Sequence, residues 1–311
     1  MKPILVAGEI NVDLVFGGCP GMPVPDTEIL AETFHQVPGS SSMICAMGLA
    51  RLGEGVTFVG RAGADSRGAF CIDALRAAGI DTHAVRQDPT LTTGVTVAVS
   101  TASDRGLLTF AGSITALTAD VVDDALLASA RHLHVSALYL QRRLRPGLGG
   151  LFARARALGL TTSLDPGFDP EQRWGDEREW ADLLQHVDVF LPSRGEALAI
   201  AQAGDVDHAL AHFARGSTLV VIKCADDGAL ALRMGEEVVH AATRAPEPLV
   251  DSTGAGDSFD AGFLHAWLAH LPLRECLRWG NACGGLSMRG MGGTARQADV
   301  AEVEAWLGQG T

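Results

Sequence analysis

A turn of small residues beside a carboxylate is the part of the sequence best suited to chemistry. In the run 251–264, Gly254, Ala255 and Gly256 precede Asp257, and a mostly apolar stretch follows. This pattern predicts a loop that leads into a helix, where backbone N–H groups converge on an anion and the helix dipole adds positive charge. A carboxylate there can take a proton from an attacking hydroxyl while the amides hold a phosphoryl group. The residues also fit a plain helix N-terminus.

The elements that must position this turn alternate along the chain. Short apolar runs predict buried strands at 4–7, 56–59, 132–136, 160–164, 187–191 and 218–222. Helical patterns predict helices at 43–52, 65–79, 119–130, 147–157, 177–185, 194–203 and 206–214. Strands that alternate with helices favour an α/β fold with a mostly parallel central sheet covered on both faces.

Another group of strands lies outside this alternation. The runs 10–16, 93–100 and 107–110 are rich in β-forming residues, and a turn predicted around 103–106 would join the last two into a hairpin. We therefore predict a single domain over residues 1–311, with a small β-sheet lid contributed by about 10–36 and 92–112.

Charge and composition limit the partners. The formal net charge is −13, which argues against a nucleic acid or an anionic membrane, because both need a basic face. The apolar run 4–7 is too short for a signal peptide, and no stretch approaches the roughly 20 apolar residues of a membrane helix. The six scattered cysteines form no CxxC pair and favour reduced core residues in a cytoplasmic protein.

Several enzyme classes lack their motifs in this sequence. There is no GxxxxGK[ST] of a P-loop kinase, no GxSxG of an α/β hydrolase and no HExxH of a zincin. A dinucleotide-binding GxGxxG is also missing after the first strand, because Glu9 and Ile10 follow Gly8.

The run 251–264 resembles the C-terminal signature of the PfkB/ribokinase carbohydrate kinases. Residues 8–13 resemble the first strand of that family, and the segments 39–53 and 58–65 resemble its N-terminal signature, so that the resemblance covers nearly the whole chain. It implies a ribokinase-like three-layer fold and an ATP-dependent kinase that phosphorylates a hydroxyl of a sugar or sugar-like molecule. Asp257 would be its catalytic base, and Gly254, Ala255 and Gly256 its anion hole.

The same resemblance implies further ligand contacts. The residues that would bind the substrate are Asn11, Asp13, Gly39, Ser40 and Ser41. Those that would bind ATP are Ser193, Lys223, Gly228 and Asn281. Glu196 would hold Mg²⁺ through water, and Asp251 and Thr253 would hold a monovalent cation such as K⁺. Asp165 would lie near the bound substrates, whereas His134 is interpreted as structural. Closure of the lid over the substrate and a homodimer through the lid strands are also expected.

Some positions depart from the family pattern. Ser40 stands where the family usually has a second glycine, and Ile44 and Ser193 each stand where it usually has asparagine. Ile44 cannot hydrogen-bond a hydroxyl, so either the substrate differs there or the serines at 40–42 take over the polar contacts. A nucleoside kinase of the same family, and a non-catalytic sugar- or nucleotide-binding protein on this fold, stay open as alternatives.

Overall fold

The computed structural model describes residues 1–101 and 105–309. The strands are β1 (Ile4–Ala7), β2 (Asn11–Gly17), β3 (Thr33–Pro38), β4 (Val56–Gly63), β5 (Val85–Asp88), β6 (Gly94–Ser100), β7 (Arg105–Phe110), β8 (His132–Val135), β9 (Thr161–Leu164), β10 (Val189–Phe190), β11 (Leu219–Lys223), β12 (Ala229–Leu232) and β13 (Val239–Ala241). The helices are α1 (Ser41–Arg51), α2 (Ser66–Ala77), α3 (Asp124–Ala128), α4 (Leu148–Ala157), α5 (Glu177–Leu184), α6 (Arg194–Ala201), α7 (Val206–Phe213), α8 (Ala255–Leu268), α9 (Leu273–Ser287) and α10 (Val300–Gly308).

The central sheet contains nine strands in the order β13-β12-β11-β10-β9-β8-β1-β4-β5. Its strands from β11 through β5 run parallel, and β12 and β13 continue it as antiparallel strands. Each strand of the parallel part therefore ends at the same edge of the sheet, here called the carboxyl edge. Ligands of open α/β sheets bind outside that edge, and it is the edge to which α8 brings its first turn.

Two hydrophobic cores show why the sheet must be covered on both faces. Successive residues of β1 alternate between them: Ile4 packs with Leu49 and Phe263 on one face, and Leu5 packs with Phe152 on the other. A strand buried on both faces reads as a continuous apolar run, which is the pattern found at 4–7. The result is the three-layer α/β arrangement that the sequence predicts.

A second, four-stranded sheet has the order β3-β2-β6-β7. It is built from the two segments predicted to form a lid, extended to Pro38 by β3. The turn predicted around 103–106 lies partly outside the described residues. One face of this sheet carries Asp13, Thr96 and Thr109 in register, and the other carries Phe16, Phe34 and Leu108. We call the second of these the outer apolar face.

A chain of polar side chains runs through the centre of the main sheet. His132 Nδ1 lies 2.8 Å from Thr161 Oγ1, and its Nε2 lies 2.8 Å from Ser163 Oγ. Ser163 Oγ is also 2.7 Å from His134 Nδ1, whose Nε2 lies 2.9 Å from Ser136 Oγ. Burial lowers the pKa of His132 well below its usual value and the pKa of His134 to about 4. Both imidazoles are therefore neutral near pH 7.

Two elements differ from the sequence prediction. The helix predicted over 119–130 is wrong: a short 3₁₀ turn at Ala119–Val121 is followed by α3, which begins after Asp123. Asp123 accepts a hydrogen bond from the Leu126 N–H (2.8 Å), so it caps a new helix where the prediction continued an old one. The strand predicted at 187–191 is shorter and spans only Val189–Phe190. Among the described residues, no helix is long and apolar enough to cross a bilayer.

Candidate active site

The turn at 254–257 forms the N-terminus of α8 at the carboxyl edge. Gly254 is the residue before the helix and has φ 71°, in the left-handed region. A Cβ at Gly254 would lie 2.7 Å from Gly293 Cα and 3.0 Å from the Ile44 side chain, so only glycine fits. The first helical bond runs from the Ser258 N–H to the Gly254 carbonyl (2.8 Å). The Ala255 N–H donates to the Ser252 carbonyl (3.3 Å). The N–H groups of Gly256 and Asp257 have no acceptor within the helix, which suits them to an anion.

Asp257 lies half-buried in that first turn. Burial raises the pKa of its carboxyl group to about 7, and the negative charges of Asp165 and Glu9 act in the same direction. The ammonium group of Lys223 and a hydrogen bond from the Ser41 side chain oppose this rise. A carboxyl group with a pKa near neutrality is suited to accept a proton in a reaction at physiological pH.

The small sheet presents Asn11 and Asp13 opposite this turn. Asn11 Nδ2 donates to Asp13 Oδ1 (2.9 Å) and to Thr96 Oγ1 (3.1 Å), which fixes the Asp13 carboxylate. Asp13 is only 8% exposed, and burial raises its pKa to about 6. A Cβ at Gly39 would lie 2.1 Å from Asp13 Oδ1, so glycine leaves room for the carboxylate.

The serines at 40–42 have different tasks. Ser40 has φ 70° and caps α1: its hydroxyl donates to the Glu9 carbonyl (2.7 Å) and accepts from the Met43 N–H (3.0 Å). The positive φ explains why glycine is usual here. The Ser40 hydroxyl thus donates its proton to the Glu9 carbonyl, and the substrate contact predicted for its side chain stays a prediction. Ser42 is bonded to the buried Glu9 carboxylate (2.6 Å), which leaves Ser41 to face Asp257.

Ile44 also acquires a packing role. Its side chain is 3% exposed and lies against the positions of Gly254 and Gly293. Its backbone carbonyl accepts a hydrogen bond from Gln297 Nε2 (2.7 Å). The isoleucine that stands in place of the usual asparagine therefore packs against the glycine turn and supports it.

Ser193 and Glu196 form a reciprocal cap at the start of α6. The Ser193 N–H donates to Glu196 Oε2 (2.7 Å), and the Glu196 N–H donates to Ser193 Oγ (3.3 Å). Burial and the nearby charge of Asp165 raise the pKa of Glu196, so a cation beside it would be favourable. Its other carboxylate oxygen has no hydrogen-bond partner among the described residues. A half-buried carboxylate with one unused oxygen fits a Mg²⁺ ion held through water.

Asp251 connects the glycine turn to the stretch at 290–294. Its Oδ1 accepts from the Thr253 N–H (2.9 Å) and Thr253 Oγ1 (2.7 Å), and its Oδ2 accepts from the Gly292 N–H (2.8 Å). Arg105 of β7 donates to Thr253 Oγ1 (2.5 Å) and lies 3.9 Å from Asp251 Oδ1. Both carboxylate oxygens are thus already used and a guanidinium group is close, which does not fit an additional bare cation. No group of three His, Cys, Asp or Glu side chains in the described ranges is arranged to bind a metal ion.

Gly228 and Asn281 both hold the end of β13. Gly228 has φ 81°, and a Cβ there would lie 2.1 Å from the Ala241 carbonyl oxygen. Asn281 Nδ2 donates to the carbonyls of Ala241 (2.9 Å) and Ala242 (3.2 Å). Both residues have clear structural roles here, and their contacts with a nucleotide stay predictions.

Lys223 lies beneath the glycine turn, where it is bonded to two carboxylates. Its Nζ is 2.8 Å from Asp165 Oδ2 and 3.1 Å from Asp260 Oδ1. Sequence reasoning placed Lys223 and Asp165 near the substrates but missed Asp260 and Arg105. Asp260 could have been identified as a charged residue on the apolar side of a predicted helix. No feature of the sequence pointed to Arg105.

Comparison with known proteins agrees with this fold. The model of the pfkB family carbohydrate kinases matches residues 1–299. The chain is 29% identical over 307 residues to the ATP-dependent ribose-1-phosphate kinase of Halopiger xanaduensis, which covers 98% of this chain and 97% of the relative. It is 28% identical over 267 residues to the 5-dehydro-2-deoxygluconokinase of Geobacillus thermodenitrificans, covering 80% and 78% of the two chains. The Arabidopsis thaliana ribokinase complexed with ribose and ATP has the same fold, with a TM-score of 0.82 at 22% identity and 98% coverage of both chains.

The fold and the family match together identify this chain as a phosphotransferase that uses an alcohol as acceptor. The chain belongs to the pfkB family of carbohydrate kinases. The predicted fold class and enzyme class are both confirmed.

Proposed function

We propose that this enzyme transfers the γ-phosphoryl group of ATP to a hydroxyl of a sugar or sugar-like molecule, with Asp257 as the catalytic base. The observation that carries the proposal is the position of Asp257, which immediately follows the turn formed by Gly254, Ala255 and Gly256 and has a pKa of about 7. Relatives named for kinase reactions on ribose-1-phosphate and 5-dehydro-2-deoxygluconate support a substrate of this class.

The geometry supports a division of tasks within the cleft. Asn11 and Asp13 would hold hydroxyls of the substrate, with the backbone of Gly39 leaving space beside them. Ser41 would orient the Asp257 carboxylate, which takes the proton from the attacking hydroxyl. The N–H groups of Gly256 and Asp257 would stabilise the negative charge of the transferring phosphoryl group.

The nucleotide would lie across the carboxyl ends of β10 and β11 and extend towards Asn281. Glu196 would hold Mg²⁺ through water, and the ion, when bound, neutralises charge on the phosphates. The small sheet would act as a lid that excludes water and limits wasteful hydrolysis of ATP. In this proposal the chain works as one kinase domain whose lid consists of about 10–36 and 92–112.

A substrate panel tests the proposal. ADP release would be measured with pentoses, hexoses, sugar phosphates, keto-acid sugars and nucleosides, for the wild type and for Asp257→Asn. The variant is expected to lose at least about 100-fold in kcat, because removal of a base removes 10²–10⁴-fold. Asp207→Asn is the matched control, since Asp207 also lies in the first turn of a helix but is exposed. Turnover on nucleosides alone would favour the nucleoside-kinase alternative. Ligand-induced stabilisation without turnover by the wild type, or equal turnover by Asp257→Asn, would refute the proposal.

We also propose that two copies associate through the outer apolar face. Phe34, Leu108 and Phe110 are 56%, 74% and 57% exposed, and Phe34 packs against Phe16 with ring centroids 5.1 Å apart. A second copy would cover this surface and the open edges of the small sheet. Light scattering is expected to give twice the monomer mass, and Leu108→Lys is expected to halve it. A monomeric wild type at micromolar concentration would refute this interface.

A further inference from the structure

A buried ion cluster lies at the carboxyl edge directly beneath the glycine turn. Lys223 is the last residue of β11, and its side chain is only 11% exposed. Its ammonium group contacts Asp165 Oδ2 at 2.8 Å and both oxygens of Asp260, at 3.1 and 3.2 Å. Asp165 follows β9 and is itself fixed by the Gly167 N–H, which donates to its Oδ1 (2.9 Å). We call Asp165, Lys223 and Asp260 the buried triad.

The buried triad connects the sheet to the first turn of α8. Asp260 is fully buried and lies one helical turn after Gly256 and Asp257. The Lys223 side chain passes under the same turn: a Cβ at Gly256 would lie 3.6 Å from Lys223 Nζ and 3.9 Å from its Cε. The ends of β9 and β11 therefore hold Gly256 and Asp257, the two residues that bound the anion hole. Both strand ends act through the ammonium group of Lys223.

Burial and the Lys223 charge act in opposite directions on the two carboxyl groups of the buried triad. Burial alone would raise the pKa of Asp165, but the charge of Lys223 and the hydrogen bonds from Asp260 and Lys223 outweigh it and lower the pKa. Burial raises the pKa of Asp260 well above its usual value. The charge of Lys223 opposes this rise, and the charge of Asp165 and a hydrogen bond with it add to the rise. The Lys223 charge thus favours the ionised form of Asp165, whereas burial favours the protonated form of Asp260.

We propose that Lys223 is a positioning residue for phosphoryl transfer, which fixes the first turn of α8, and with it Gly256 and Asp257, through its contacts with Asp165 and Asp260. The inference rests on the proposed function of that turn. A displacement of a catalytic group by about 1 Å can lower a rate 100-fold, so the loss of this link affects turnover more than binding. Lys223 acts from beneath the turn, whereas the substrates bind above it.

Three variants test this role. Lys223→Met removes the ammonium group and leaves Asp165 as a buried carboxylate without its counter-ion. The double variant Lys223→Met with Asp165→Asn removes both members of the 2.8 Å ion pair together, and is therefore expected to recover stability. Arg131→Met is the matched control, because Arg131 forms a partly buried ion pair with Glu54 at the opposite edge of the sheet. Tm, kcat and KM for both substrates would be measured for each variant, with the sugar substrate that the wild type turns over best.

The inference expects a specific combination of results. Lys223→Met lowers Tm and lowers kcat by about 10- to 100-fold, while both KM values change by less than about 3-fold. The double variant regains Tm but not kcat. Arg131→Met lowers Tm and leaves kcat unchanged. In addition, the acid limb of the rate profile moves to higher pH in Lys223→Met, because Lys223 opposes the rise in the pKa of Asp257 that burial, Asp165 and Glu9 produce.

Other outcomes overturn it. A double variant with the turnover of the wild type would make Lys223 a stabilising residue only. An increase in KM for ATP at constant kcat would make it a direct contact of the nucleotide. If Lys223→Met does not fold, Asp165→Asn weakens one of the two contacts of Lys223 instead, and turnover equal to that of the wild type in this variant refutes the positioning role. A wild type without any kinase activity would instead refute the proposed function and leave the Tm results of the buried triad intact.

Discussion

The pH dependence of turnover follows directly from the surroundings of Asp257. Only the ionised carboxylate can accept the proton of the attacking hydroxyl, and its pKa is raised to about 7 by burial and by neighbouring negative charge. About one tenth of the enzyme is then in the active form at pH 6, and about nine tenths at pH 8. We expect kcat/KM for the sugar substrate to fall by about tenfold for each pH unit below pH 6.

A substitution of Ser41 tests whether the fall in kcat/KM at acid pH, the acid limb of the profile, is due to Asp257. The Ser41 side chain donates a hydrogen bond to the carboxyl group, which favours the ionised form and lowers the pKa. Loss of a hydrogen bond of about 0.5–1.5 kcal/mol raises a pKa by about 0.4–1.1 units. The Ser41→Ala variant is therefore expected to shift the acid limb upward by that amount.

The assay measures kcat/KM between pH 5.5 and 9 at saturating ATP and excess Mg²⁺. Ser252→Ala serves as the control, because Ser252 precedes the same turn but is exposed. A wild-type kcat/KM that does not fall between pH 7 and pH 5.5, or an acid limb that stays in place in Ser41→Ala, would refute the assignment of Asp257 as the titrating base.

Three further results are expected. Gly254→Ala should lower the free energy of unfolding by at least about 1–2 kcal/mol and abolish most turnover, because alanine is strained at φ 71° and its Cβ meets Gly293. A stable, active variant would contradict the geometry of the turn. Asp260→Asn should keep the free energy of unfolding within about 1 kcal/mol of the wild type, since asparagine resembles the protonated acid; a much larger loss in urea unfolding would show that Asp260 is ionised. The free energy of unfolding should fall as the pH drops from about 6.5 to about 4, because the lowered pKa of His134 lets the unfolded chain bind more protons than the native one. The loss amounts to about 3 kcal/mol, and an equal slope in His134→Gln would exclude this origin.

The turn at 254–257 was predictable because its chemistry is local. Three small residues followed by an aspartate and an apolar stretch specify a helix N-terminus, and the structure has it there, whereas anion binding by this turn stays a prediction. The alternation of strands and helices likewise specified a parallel sheet. The helix predicted at 119–130 was wrong because Asp123 caps a new helix. The spacing of apolar residues does not show that a new helix begins there.

The buried triad could not be predicted from spacing. Asp165, Lys223 and Asp260 belong to two strand ends and one helix that are far apart in sequence. Their meeting depends on β9 and β11 flanking β10, and on α8 crossing that edge, which only the strand order reveals. The bond of Ser40 to Glu9 could not be predicted for a related reason. The Ser40 hydroxyl is taken by the Glu9 carbonyl, which the fold brings beside it from a distant segment.

The connections between the two sheets affect how the substrate specificity of such an enzyme can change by mutation. The chain passes from β1 to β2 just before Asn11, and from β3 to α1 at Gly39 and Ser40. The residues proposed to recognise the sugar thus stand at the joints about which the small sheet would rotate. Mutations that alter selectivity at these joints would also alter the opening and closing of the cleft, so specificity and turnover rate are expected to evolve together rather than independently.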